Sequence, residues 1–173
     1  AEYADEQLYL VQMIGPVKKR WLKELRAVSE VLSYVPNNAY LVRAGAEGVE
    51  RLNMLKTSSR SFIQWMGSYK PAYKIAPEIQ VDLDQEISVT IQLATGRHTR
   101  SEIQDLVARS SGTLASRPHE VLSYTNLRLR VPARKLAEIA RISNVVWIEQ
   151  WTAPQMLDEK QSLIVAGGYD TSF

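Results

Sequence analysis

No cysteine occurs among the 173 residues, which excludes both a disulfide framework and a thiolate metal site. Histidine is nearly absent too, with only His98 and His119. A Ser-His-Asp arrangement needs an imidazole beside a nucleophile and oriented by a carboxylate. His98 reads as part of a loop before a helix, and His119 follows a proline in another loop, so both read as solvated side chains. No His-Glu-x-x-His, Gly-x-Ser-x-Gly or Gly-Lys-Ser string is present. The acidic residues lack metal-ligand spacing: Asp82 and Asp84 suggest the start of a calcium loop, but no Asp-x-Asp-x-Asp-Gly pattern follows. Neither a cofactor nor a metal is expected. No excess of one charge exists either, since 21 basic side chains meet 19 acidic ones for a net charge of +2. That balance argues against a nucleic-acid partner and lends no support to a membrane surface. No apolar run approaches the roughly 18 residues that span a bilayer. Residues 1–7 are small, polar and acidic, unlike a signal sequence; the chain is either cytosolic or follows a signal already removed.

Apolar residues make up 45% of the sequence, enough to fill one ordinary core or two small ones. They are arranged as an internal repeat. In the first half, residues 8–14 are apolar and β-prone and stop at Gly15-Pro16. Residues 17–29 place Val17, Trp21, Leu22, Leu25 and Val28 on one helical face. Residues 31–35 and 39–43 read as two strands around the turn Pro36-Asn37-Asn38. Residues 46–56 form a second amphipathic helix, and 62–69 a fourth strand. The second half repeats this order. Residues 87–94 alternate strictly. A helix begins near Ser101, with Thr99 or Ser101 as its N-cap and Gly112 as its C′ residue. Residues 113–123 hold a strand and a loop broken by Pro118. Residues 127–131 form a period-two strand, 133–142 a helix started by Pro132, and 145–151 the last strand. The halves also align residue by residue: Tyr40, Val42 and Ala44 with Leu127, Leu129 and Val131; Val49 and Leu52 with Leu136 and Ile139; residues 63–69 with 145–151.

A β-α-β-β-α-β unit folds as a four-stranded antiparallel sheet with two helices on one face. The expectation is therefore an α+β chain of two tandem ferredoxin-like modules, residues 1–75 and 76–152, with a C-terminal tail, 153–173. Residues 71–84, with their prolines and acidic side chains, read as an exposed joint. Each sheet is expected to leave its other face to water or a partner. Tyr40, Arg128, Arg130 and Trp151 are the candidate docking residues on those faces. Trp65 and Trp147 are expected to pack under the helices. The same topology serves RNA recognition, but that use needs aromatics on the central strands; the first half carries Tyr9 and Tyr40 there without an RNA-recognition string, and residues 87–94 and 127–131 carry none.

Three strings resemble the N-terminal propeptide region of bacterial subtilisin-like serine peptidases. They are Leu10-Val-Gln-Met-Ile-Gly-Pro-Val17, Ser33-Tyr-Val-Pro-Asn-Asn-Ala-Tyr-Leu-Val-Arg43 and Gln64-Trp-Met-Gly-Ser-Tyr-Lys-Pro-Ala-Tyr-Lys74. Val145-Val-Trp-Ile-Glu-Gln-Trp151 and Asp158-Glu-Lys-Gln161 extend the likeness over nearly the whole chain. The resemblance implies a secreted, non-catalytic prodomain, chaperone and inhibitor of a catalytic domain in the same precursor. Its sheet face would dock on the protease, and a C-terminal tail would occupy the substrate cleft, here Asp170, Thr171, Ser172 and Phe173. The family's simple pattern has one module, whereas this chain has two, so either or both could dock. The alternatives that Phe173 is merely where the sequence stops, and that the chain is a regulatory module binding another protein through its sheet faces, stay open. The peptidase motifs Asp-Ser/Thr-Gly, His-Gly-Thr and Gly-Thr-Ser-Met-Ala have no counterpart in this sequence, so the chain alone is expected not to be an enzyme.

Overall fold

Alternating apolar residues and two breaker sites set the first half. The structure, a computed structural model, describes residues 6–79, 82–94 and 99–153. Strand β1 (Gln7–Met13) is followed by helix α1 (Lys19–Val28), strands β2 (Glu30–Val35) and β3 (Ala39–Ala44), helix α2 (Ala46–Thr57) and strand β4 (Ile63–Ser68). The β2–β3 turn needs two residues in the left-handed region, and Asn37 and Asn38 occupy it with φ of 68° and 58°. Asparagine adopts that region at low cost. The second half comprises β5 (Glu86–Ala94), α3 (Thr99–Ser110), β6 (Thr113–Leu114), β7 (His119–Val121), β8 (Tyr124–Pro132), α4 (Leu136–Ala140) and β9 (Val145–Gln150). The result is a mixed α+β chain with antiparallel sheets and, among the described residues, four α-helices.

The two sheets have the same strand order. The first runs β2-β3-β1-β4 and the second β6-β8-β5-β9, with β7 also on β8. The registers match as well. Gln12 faces Trp65 and Met13 faces Ile63 across a bulge; Gln92 faces Trp147 and Leu93 faces Val145 across the same bulge. Tyr69 N–H donates to Leu8 O at 2.9 Å, and its counterpart Trp151 donates to Ser88 O at 2.9 Å. A shared bulge and a shared closing hydrogen bond carry the sequence repeat into backbone geometry.

Each half buries its own helix-side core. Val11, Met13, Val42 and Ala44 pack under Trp21, Leu25 and Leu52. Ile87, Val89, Ile91, Leu93, Leu127, Leu129 and Val131 pack under Leu106, Leu136 and Ile139. A third cluster was not anticipated. Leu8, Leu10, Leu32, Leu41, Val35 and Tyr69, on the side of the first sheet away from its helices, pack against Ala94, Val146, Tyr124 and Trp147 of the second. The expectation of two open sheet faces is thus corrected, because the first face is covered by the end of the second sheet. The row Leu8, Leu10 and Leu41 is apolar and would expose an uncovered patch in water.

Other expectations shift for local reasons. Residues 71–84 are not simply an exposed joint. A 3₁₀ turn at Pro71–Tyr73 leads into Ile75, which bridges Ile148 in parallel, and Lys74 and Ala76 are buried. Residues 133–142 do not form one helix. A 3₁₀ turn at Ala133–Lys135 precedes α4 because Ala133 and Arg134 donate to the carbonyls of Gln85 and Leu83, at 2.8 and 3.1 Å. Ser101 lies inside α3 and does not cap it; the side chain of Thr99 lies outside the described residues. At the other end of α3, Ser111 takes the left-handed C′ position, with φ of 51°. Ser111 N–H donates to Ala108 O and Gly112 N–H to Val107 O, the pair of bonds of a Schellman motif. Gly112 is required instead for close approach, since a Cβ there would lie 2.7 Å from Val131 Cγ1.

Two substitutions test this packing. Leu41 is 3% exposed, so Leu41→Ala should cost about 2–4 kcal/mol in urea unfolding, as a core leucine does; a loss below ~1 kcal/mol would mean the face is not covered. Ser111→Gly should raise stability by about 0.5–1 kcal/mol by relieving the left-handed strain, read from the same unfolding curves.

Candidate functional site

Register decides which side chains share a face. Opposed residues of an antiparallel pair point to the same side, and the second sheet therefore presents Ser88, Thr90, Arg128, Arg130 and Glu149 away from its helices. Trp151 follows β9 and closes onto Ser88. The equivalent positions in the first half are Leu8, Leu10, Leu41, Arg43, Gly67 and Tyr69. Four apolar or aromatic residues that are covered in the first half thus correspond to Ser88, Thr90, Arg128 and Trp151 in the second. Of these residues Arg130 and Glu149 are exposed and Ser88, Thr90, Arg128 and Trp151 half-buried; the apolar contact between the sheets lies at the other end of the face.

The face is organised around Arg128. Its guanidinium carbon lies 4.0 Å from the centroid of the Trp151 ring, a cation–π contact worth about 0.5–2 kcal/mol. Arg130 is held by Glu86, Nε to Oε2 at 2.9 Å, with both side chains more than half exposed. The Trp147 indole N–H donates to Glu149 Oε2 at 3.3 Å. Of the candidate docking residues, Arg128 and Trp151 meet, and Arg130 lies beside them. Tyr40 does not join them. It faces Val11 across the strands, on the helix side, and meets Tyr34 edge-on with centroids 5.4 Å apart. A one-residue step along β3 separates Tyr40 from Leu41 and sends them to opposite faces. Asp170, Thr171, Ser172 and Phe173 lie outside the described residues, as does His98. His119 sits in the short strand β7 opposite Asn126, and is exposed. Asp82 accepts from its own chain, Asp84 N–H to Oδ1 at 3.2 Å.

Both tryptophans expected under the helices lie on the opposite faces. Trp65 is 45% exposed, and its ring lies over Gly67, where a Cβ would come within 2.5 Å of Cζ2. Trp147 packs into the contact between the sheets. The alternation at 63–69 and 145–151 was legible, but the bulge at each strand's second residue reverses the side to which the tryptophan points.

Three polar residues at the junction of the halves went unrecognised in the sequence. Arg43 donates through Nε to Glu30 at 2.8 Å, approaches Glu6 at 3.5 Å, and reaches Asn144 Oδ1 at 3.2 Å. Asn144 is buried and donates onward to Glu102 Oε2 at 2.6 Å. Glu6, Glu30, Arg43 and Glu47 also line a cleft of about 370 Å³ at the start of α2. Lys74 is 3% exposed. Its ammonium donates to Ile142 O at 2.8 Å, which satisfies a carbonyl just beyond α4. Burial pushes the Lys74 ammonium down to about 8 from 10.5. Burial also pushes the Tyr69 phenol up, with Tyr124 adding to the effect. The one available signal was the repeat itself. Arg43 and Arg130 are equivalent, and each pairs with a glutamate on the neighbouring central strand or its lead-in, Glu6 and Glu86. Lys74 has no counterpart pattern that could have marked it.

Comparison with known proteins adds little to this geometry. A family model described as a domain of unknown function, DUF8729, matches residues 2–70, which is the first half of the repeat. No curated protein matches the sequence. A solved structure, the small subunit of acetolactate synthase from Thermotoga maritima, is similar at 14% identity and a TM-score of 0.25. That match covers 86% of this chain and 99% of the subunit. A likeness at that score carries neither fold nor function.

Lys74 gives a pH test of the junction. Its ammonium is easier to deprotonate in the folded chain than in the unfolded one. Between pH 8 and 10.5 the unfolded chain therefore holds the extra proton, and stability rises with pH. Relative to Lys74→Met, the natural chain should gain on the order of 1–2 kcal/mol across that window. Urea unfolding of both proteins at pH 7.5 and pH 10 checks it, and parallel profiles would show that Lys74 is not buried.

Proposed function

We propose that this chain is the propeptide of a secreted subtilisin-like serine protease, built from two tandem ferredoxin-like modules. In this reading it chaperones and inhibits the catalytic domain of its own precursor and has no catalytic role itself. The second module makes the contact. Its Arg128 and Trp151 face lies against the catalytic domain, and the following chain leads into the substrate cleft.

One observation carries the reading: the uncovered sheet face and the start of the tail coincide. Trp151 closes the face by its bond to Ser88, and the 22 residues from Thr152 to Phe173 follow at once. An inhibitor that docks through a sheet and places an adjoining strand in a cleft needs those two features side by side. Docking raises the local concentration of the tail, and an extended tail pairs with the cleft edges through backbone hydrogen bonds. The first module supports the second. Its apolar face is occupied by the contact between the sheets, which leaves the second face as the docking surface.

The decisive experiment adds the chain to the catalytic domain encoded in the same precursor. Near-stoichiometric loss of peptidase activity is expected. A chain ending at Trp151 should still bind, yet inhibit at least ~tenfold more weakly, because the tethered strand is lost. Binding that survives truncation with no inhibition by either form would leave a non-catalytic interaction module in place of a propeptide. An untouched protease at excess chain would end the propeptide reading.

A further inference from the structure

We infer that the Arg128–Trp151 pair is the anchor of the uncovered face and receives a carboxylate presented by the protein that docks there. The inference rests on the docking reading above and names the chemistry of the contact.

Four observations point to it. A guanidinium lying over an indole keeps N–H donors at its rim that the ring does not use. Among the described residues no carboxylate pairs with Arg128, although every other charge on this face has a partner: Glu86 holds Arg130 at 2.9 Å, and Glu149 accepts from Trp147 at 3.3 Å. Glu149 shares the face but stands two strands away, across Thr90, about 10 Å by strand spacing. The face is also continuous with the contact between the sheets. The position equivalent to Arg128 in the first half is Leu41, which is buried there against the other sheet. One equivalent site meets an apolar sheet and carries leucine; the other carries an arginine held flat on an aromatic ring, which suits a partner surface that is acidic rather than apolar. Arginine stacked in this way loses little freedom on pairing, and its fork matches a carboxylate in two bonds. The occupant to which this commits is an aspartate or glutamate on the surface of the catalytic domain.

The test compares Arg128→Glu with Arg20→Glu, the same charge change on the exposed side of α1. Each full chain is titrated against the catalytic domain and, separately, against poly-L-glutamate and poly(U), with circular dichroism to verify folding. Arg128→Glu is expected to weaken binding to the catalytic domain by ~tenfold or more, and Arg20→Glu by less than about twofold. Trp151→Phe should stay within about threefold of the natural chain, whereas Trp151→Ala should approach the Arg128→Glu loss. If the catalytic domain does not bind the natural chain, the propeptide reading falls by itself, and poly-L-glutamate then decides the anchor alone. Loss on Arg128→Glu without loss on Arg20→Glu upholds it. Equal losses for the two variants, or Arg128-dependent binding of poly(U) in preference to poly-L-glutamate, overturn it. Should Arg128→Glu fail to fold, Arg128→Gln replaces it with the same expected loss.

Discussion

The structure depends on covering one apolar sheet face. The first sheet is apolar on both sides: Val11, Met13 and Val42 face its helices, while Leu8, Leu10 and Leu41 face away. A β-α-β-β-α-β unit supplies helices for one side only, so the second side needs another surface. The second sheet supplies it through Ala94, Val146, Tyr124 and Trp147. The halves are therefore not two beads on an exposed joint. The linker shares in the same junction, with Ile75 on Ile148, Ala76 N–H on Ile148 O at 2.8 Å, and Lys74 on Ile142 O.

The contact is asymmetric although the halves are alike. The centre of the first face meets the end of the second, so the centre of the second face is left over. Asymmetry between equivalent units of this kind always leaves one copy of a surface unmatched. The sequence reflects the difference: Leu8, Leu10 and Leu41 on one side, Ser88, Thr90 and Arg128 on the other. Buried polar groups at the junction are satisfied rather than stranded. Arg43, Asn144 and Glu102 form a continuous chain of hydrogen bonds between the halves, which favours one relative placement of the sheets because a shift would leave those groups unpaired.

The functional reading follows from the leftover surface. Helices close one side of the second sheet and the first module takes one end of its other side. The remaining area carries a cation stacked on an aromatic ring, at the point where the chain leaves the last strand. A surface of that composition fits a protein contact with an acidic element better than a small-molecule pocket, which would be concave and mostly apolar.

The amino-acid sequence by itself determined the repeat, the order of the main strands and helices, and the helix-side cores. Those features rest on local periodicity and on breakers such as Gly15-Pro16 and Pro36-Asn37-Asn38, which act over a few residues. It also brought Arg128, Arg130 and Trp151 to notice. Only the tertiary structure decided that Tyr40 faces the helices, that Trp65 and Trp147 do not, and that Lys74 and Asn144 are buried. A bulge reverses a face without changing the alternation that reveals a strand, and burial of a linker lysine depends on a strand more than 70 residues away in the chain. Which face of a sheet is covered depends on the surface that arrives against it, and no pattern within one strand records that surface.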